Sequence, residues 1–362
     1  MDYEQLPSLS IITHEQRTTS SPDSDRDAMQ ILRHTSLYYA HGDIALSAQY
    51  SDTVKYIFRV HRLFLTHHSE VFQDKIEALA RDDGLPVEEY DGVPLLVLDN
   101  EDSSDGVASL LEVFYDVSSL PRRLAAEQRA DLPLQLCGLL DISTRYHVQG
   151  VVSTIKDHIR KEWPVTLRGW EVRQLEFDST PILHDVLPEA VSAIQFATEY
   201  NIPSILPAAF YLLSITPTNS DWRDQIPKSN VSSARWFSLD DSNAVRFAKG
   251  RDAMIAFYLD EAAKLDPGQD QYGFNMLSTH PRCKCDYSPL LLELRLLAVN
   301  RHLDCLRALS ILSDRCKHDH KLCTSCMTRM RTHFQHMRTE IWKKLPDFFI
   351  VREDGNRITW NA

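Results

Sequence analysis

Six of the seven cysteines lie beyond residue 282, and two of them, Cys323-Thr324-Ser325-Cys326, are spaced one helical turn apart. That spacing lets two thiolates grip one tetrahedral zinc ion. Further donors stand close in the chain: Cys283, Cys285, Cys316, His318 and His320. Two closures are open. Cys316 and His320 could join Cys323 and Cys326 locally, or Cys283 and Cys285 could complete the set from across a helical hairpin. The candidate metal ligands are thus Cys283, Cys316, Cys323 and Cys326, and a structural zinc is the one cofactor the sequence suggests. The competing account is that these are small apolar residues in helical contact. Cys305 sits among Leu303, Leu306 and Leu309 and is expected in a core.

A second candidate is the stretch VHRLFLTHHSEVFQ at 60–73, which holds His61, His67 and His68. His67 and His68 are adjacent, so a helix turns them about 100° apart, and His61 precedes the helix, which makes convergence on one ion awkward. The stretch reads instead as a strand-to-helix corner. Ser69 is a good N-cap and Glu70 an acid in the first turn, where the helix dipole favours it. Phe72, Ile76 and Leu79 then form an apolar stripe whose nearest partner is the preceding hairpin. The residues of this corner expected to meet a partner are His61, Arg62, Phe64, Ser69 and Phe72.

No motif of an enzyme is present: neither G-x-S-x-G, a P-loop, G-x-G-x-x-G nor H-E-x-x-H, and Gly is only 11 of 362, which leaves little material for phosphate-cradling loops. Catalysis is not expected. The formal charge of −12 gives a field that repels phosphate backbones. Residues 301–345 reverse the sign locally, with ten Lys/Arg against four Asp/Glu. Arg329, Arg331, Arg338, Lys343 and Lys344 spread around a helix whose apolar stripe is Met327, Met330, Phe334 and Ile341, the pattern of a solvated helix rather than of a nucleic-acid surface. No apolar run approaches the roughly 18 residues of a spanning helix, and MDYEQLPSLS is neither basic nor apolar enough for a signal peptide. A cytoplasmic or nuclear protein is expected. The sequon at Asn230 is set aside with the secretory route.

The elements that must position these residues fall into four segments. Residues 1–36 have the composition of a disordered tail. GDIALSA at 42–48 and KYIFRV at 55–60 alternate as a β-hairpin, followed by the helix after Ser69, a strand VPLLVLD at 93–99 and a helix from about Asp105 to Tyr115. This is a compact α+β unit over 37–120. Past Pro121 only helical patterns remain. Leu136, Leu139, Leu140 and Tyr146 share one face, and Val152, Ile155, Ile159 and Trp163 another, with Gln149-Gly150 as the break; a further helical pair follows at 188–214. Residues 121–216 are one helical region and 217–362 a second with the cysteine-rich segment, where 288–312 and 323–345 each read as a long helix.

Residues 42–116 resemble a BTB/POZ domain. The resemblance rests on Gly42-Asp43-Ile44, on Phe58-Arg59-Val60-His61-Arg62 with Leu65 and Ser69-Glu70-Val71-Phe72, on Asp91-Gly92-Val93-Pro94-Leu95, and on Leu110 to Tyr115. The chain departs from that pattern in the charged insertion ARDDGLPVEEYDG. As a whole it is similar to BTB-containing proteins of mushroom-forming fungi, through Leu140 to Val148, Trp163-Pro164, Ala193-Ile194, Ile205 to Tyr211, Leu322 to Cys326, Ile341-Trp342 and Leu345-Pro346. The resemblance implies an α+β BTB/POZ fold followed by a BACK-like helical region at 121–216. It implies protein–protein interaction, commonly homodimerisation, rather than catalysis. A scaffold or adaptor follows, one version being an adaptor for a cullin-type ubiquitin ligase, for which Val87-Glu88-Glu89 meets a loose apolar-x-Glu pattern. The alternative is a transcriptional or chromatin regulator that adds a C-terminal zinc site. Protein partners and self-association are expected, with no membrane and no nucleic acid in the main reading.

Overall fold

The computed structural model describes residues 29–81, 87–125, 130–179, 188–222, 233–264, 285, 288–297, 304–317, 322–353, 355–357 and 360. Helices and a mixed five-stranded sheet make the protein α+β. It divides into two compact units, Met1–Arg62 with Ala78–Asp105, and Leu63–Glu77 with Gly106–Ala362.

The first unit is the sheet: β1 Gln30–Tyr38, β2 Ile44–Ser51, β3 Val54–Val60, β4 Glu89–Tyr90 and β5 Val93–Val97, in the order β1-β3-β2-β5-β4. The alternation read from the sequence sets the register of the β2–β3 hairpin. Ile44 pairs with Val60, Leu46 with Phe58 and Ala48 with Tyr56, so one face carries the large apolar side chains. β5 returns parallel to β2, with Ala45 opposite Leu95. Asp91 and Gly92 join β4 to β5, and both have positive φ, 56° and 76°, as a two-residue hairpin turn requires.

β1 corrects the expectation of a tail running to residue 36. It lies parallel to β3, with Gln30 opposite Val54, and the His34 ring stacks on Phe58 at 4.9 Å. Polar residues interrupt Ile31, Leu32, Leu37 and Tyr38 without a clean alternation, which hid it, but the polar side chains are used. Tyr38 donates its hydroxyl to Asp91 Oδ2 at 2.8 Å, and the Arg33 guanidinium lies 3.3 Å from Asp91 Oδ1. β1 and β4 end the strand order on opposite sides, so these contacts require the sheet to curl. Ala45, Ile57, Val93 and Leu95 fill the curl, with Tyr38 and Tyr90 against them.

The second unit is helical apart from a terminal hairpin, β6 Arg352–Glu353 and β7 Asn356–Arg357. The helices are α1 Arg62–His68, α2 Glu70–Arg81 and α3 Ser104–Tyr115, each of which has an end in the first unit, and α4 Ser119–Leu124, α5 Leu132–Arg145, α6 Gln149–Glu162, α7 Leu167–Ser179, α8 Ala190–Glu199, α9 Leu206–Ile215, α10 Asp241–Ala263, α11 Ser288–Leu297, α12 Cys305–Arg315 and α13 Thr324–Phe348, which lie wholly in the second. The unit boundary cuts across the 37–120 segment drawn from sequence. Residues 63–77 join the helices because Ser69 Oγ donates to the Tyr146 carbonyl at 2.6 Å and the Phe72 ring stacks on Tyr146 at 4.0 Å. Phe72 therefore finds its partner on the helix-capping Tyr146, where a hairpin partner was expected.

Polar side chains start and stop these helices. Asp240 accepts from Asn243 N at the head of α10, and Asp304 from Arg307 N at the head of α12, which makes 288–312 two helices instead of one. The break between α5 and α6 is at His147, whose φ of 53° closes α5; Gly150 lies inside α6. Glu189, with a fully buried side chain, accepts from Val191 N at 2.9 Å and Ser192 N at 2.7 Å, and the Arg235 guanidinium 3.7 Å away also pairs with Asp131. That buried charge is tolerated because every contact satisfies it. No helix among the described residues is long and apolar enough to cross a membrane.

Candidate functional site

The helix α13 begins where the cysteine spacing said it should. Cys323 is its N-cap residue, with extended backbone (φ −73°, ψ 159°) and no side-chain cap bond, and Cys326 lies one turn on. The third sulfur comes from Cys285, which precedes α11. All three Sγ atoms lie within 4.8 Å of one another, and the Cys323 N–H donates to Cys285 Sγ at 2.9 Å. A tetrahedral ion with 2.3 Å Zn–S bonds needs sulfurs about 3.8 Å apart, so small side-chain rotations fit the three to one cation. The first turn of α13 has no acidic residue to meet the dipole's positive end, and metal-bound cysteines would place negative charge there.

Cys323 and Cys326 of the expected ligand set are thus brought together. Cys316 is not in the cluster: it caps α12 and is fully buried. Its phase explains this, since Leu309, Leu312 and Cys316 fall at i, i+3 and i+7 on the apolar face of α12. Cys283, His318 and His320 lie outside the described residues. Cys285, named as a possible donor but left out of the ligand set, takes the third place. Cys305 is core as expected, and burial pushes its thiol up to about 12. Cys137 is half-buried, and burial raises its pKa as well.

Below the cluster α13 is locked into the helical unit. Met330, Phe334, Met337, Ile341, Trp342 and Leu345 are buried along it, and Trp342 packs on Trp170 and Trp360. Arg338, read from sequence as solvated, is buried: its Nε donates to the Leu306 carbonyl at 3.0 Å and its Nη2 to Glu171 Oε1 at 2.6 Å. Two more cations of the basic run are paired, Arg307 with Asp178 at 2.9 Å and Arg315 with Glu293. The head of α12 rests on a buried network missed from sequence, in which Tyr211 Oη and Gln174 Nε2 donate to Asp304 at 2.8 and 2.7 Å. Burial raises the pKa values of both Asp304 and Tyr211. A cavity of about 980 Å³ opens along α13 from Thr324 to His336, starting at the turn that carries Cys323 and Cys326.

The histidine corner holds no metal-ligand group among the described residues. His67 and His68 are exposed and meet edge to face at 4.8 Å, while His68 stacks on Phe114, and burial lowers its pKa. Of the expected interaction residues, His61 is half-buried against Tyr39, and Arg62 is held by Asp43, which accepts from its N–H at 2.7 Å. Phe64 is half-buried on Tyr115. Ser69 and Phe72 correct the expectation. Both are buried, Ser69 because its Oγ accepts from Phe72 N at 3.0 Å as the N-cap of α2, so neither presents a surface to a partner. Leu63 on the neighbouring α1 is exposed, at 73%. Val87-Glu88-Glu89 is exposed and leads into β4.

No protein-family model matches the chain, and no curated protein matches it.

Proposed function

We propose that the protein is a protein-interaction module of BTB/POZ type that self-associates, acting as a scaffold or adaptor rather than as a catalyst, with a structural zinc in its helical unit. The observation that carries the reading is the element order. A β2–β3 hairpin leads through the Arg62 corner into the α1 and α2 pair, then into β5 parallel to β2, then α3. The exposed Leu63 on α1 is the position on this corner at which the reading can be tested by substitution. Recruitment of a cullin through the exposed Val87-Glu88-Glu89 is the adaptor version of the same reading. The nuclear alternative draws less support, because Arg307, Arg315 and Arg338 are already paired with carboxylates of the same chain. Zinc suits the Cys285, Cys323 and Cys326 donors because it accepts three thiolates without redox change and ties Cys285 to the head of α13.

Light scattering on the full chain tests self-association. The expected mass is that of a dimer, shifted toward monomer by Leu63→Asp, while Phe72→Ala lowers thermal stability without a change in mass below its unfolding temperature. A monomer at every accessible concentration overturns the self-association. Elemental analysis of the same preparation is expected to find zinc, lost in Cys326→Ser.

A further inference from the structure

Resting on the zinc reading above, we propose that the Cys285–Cys323–Cys326 centre is a redox-sensitive staple: hydrogen peroxide joins two of its thiolates, the metal leaves, and the head of α13 is released from Cys285. Three observations carry this. The first is access. Cys323 is exposed, and Cys285 and Cys326 are half-buried. The second is proximity: sulfurs already within 4.8 Å of one another reach the roughly 2.05 Å of a disulfide by side-chain rotation and a small shift at the N-cap. The third is consequence. Among the described residues Thr324–Arg329 none is buried, and Met330 is the first α13 residue in the core. The first turns of α13 therefore lean on the sulfur cluster, and its loss frees them without touching the packed part of the helix.

The chemistry balances. One thiolate attacks peroxide, the O–O bond breaks, and a sulfenic acid forms with release of hydroxide. The second thiolate displaces the sulfenic oxygen, forming the S–S bond, and two protons from solvent turn the released oxygens into water. Two electrons leave the sulfurs and reduce the peroxide, while zinc keeps its charge and departs because two of its donors are gone. The other described cysteines do not compete: burial holds Cys137 and Cys305 as thiols, and Cys316 is fully buried. The nucleophile is the thiolate, so oxidation is directed to the cluster.

The test uses the full chain purified with its metal. Zinc is first quantified, then hydrogen peroxide is added and zinc release followed with a chromophoric chelator, free thiols counted and disulfides mapped by peptide mass. The expected result is loss of two thiols per zinc released, a disulfide within Cys285, Cys323 and Cys326, faster amide exchange confined to the first turns of α13, and recovery with dithiothreitol and zinc. Cys323→His keeps a metal donor while removing the exposed thiolate. It is expected to bind zinc and to slow release by about tenfold. Zinc present but retained under peroxide, or released with oxidation at Cys137 or Cys305 instead, overturns the redox proposal and leaves the structural-zinc reading standing. No zinc before peroxide overturns both.

Discussion

Gly250→Ala is expected to destabilise the protein, although the same exchange in an open helix interior stabilises by about 0.5–1 kcal/mol. Gly250 lies inside α10, and a Cβ there would stand 2.0 Å from Phe349 Cδ1, 2.5 Å from Cε1 and 2.8 Å from Cγ. Carbon atoms pack at about 3.5–4.0 Å, so the ring would have to retreat by about 1.5 Å. It has nowhere to go. Phe349 is fully buried, stacked on Phe210 at 5.1 Å with 15° between planes, and its N–H donates to the Leu345 carbonyl at 3.1 Å. Overpacking of this kind costs about 1–3 kcal/mol against a gain of about 0.5–1 kcal/mol in helix propensity, and a displacement of about 1.5 Å for a locked ring belongs to the upper part of that range, so the net loss is up to about 2.5 kcal/mol. Urea unfolding reads it as a lower midpoint at unchanged slope, and thermal unfolding as a Tm lower by about 1–2 °C per kcal/mol. Repeating the exchange in a Phe349→Leu background, where the ring is gone, is expected to recover much of the loss. A midpoint at or above that of the wild type would refute the packing argument, because the sign, and not only the size, depends on the Phe349 contact.

Two further outcomes follow from named residues. Ile350 has a φ of 54° just past α13, where Val351 N–H donates back to the Pro346 carbonyl at 2.8 Å, a left-handed closure that a β-branched side chain resists. Because Ile350 is half exposed, Ile350→Gly removes little burial and is expected to raise the urea midpoint by the equivalent of about 0.5–1 kcal/mol. For His333, burial depresses the folded-state pKa below 6.5, so as pH falls through the unfolded value the unfolded chain takes up the proton first and stability drops. His68 is shifted in the same direction. The urea midpoint should therefore fall between pH 7.5 and 5.5, and His333→Leu should flatten that fall in part; an unchanged slope would sink the assignment.

What could be read from the sequence divides by the range of the interaction that fixes each feature. The β2–β3 hairpin, the Ser69 cap and the Cys323-x-x-Cys326 turn depend on neighbours within a few residues, and spacing alone located them. β1 depends on Phe58 and Asp91, which stand 24 and 58 residues away from His34 and Arg33, and its mixed composition gave no local sign of them. The helix of Ser69 and Phe72 has an apolar stripe whose existence was plain, but its partner Tyr146 lies 77 residues from Ser69. Periodicity names a buried face and never what buries it.

The cysteines show where more could have been extracted. Cys316 looked like a ligand because it is only seven residues from Cys323. Yet Cys305, Leu309, Leu312 and Cys316 recur at helical spacing on the one face of α12 that has to be apolar, and that phase points Cys316 inward. Cys285 belongs to no such stripe. A thiol without an apolar face to join, across from a turn holding two more thiols at ligand spacing, is the better donor on sequence grounds. The N–H of Cys323 then has a sulfur to donate to, which only a helix N-terminus offers. Read by phase before distance, the sequence would have left Cys316 in the core and looked to the Cys283-x-Cys285 pair for the remaining donors.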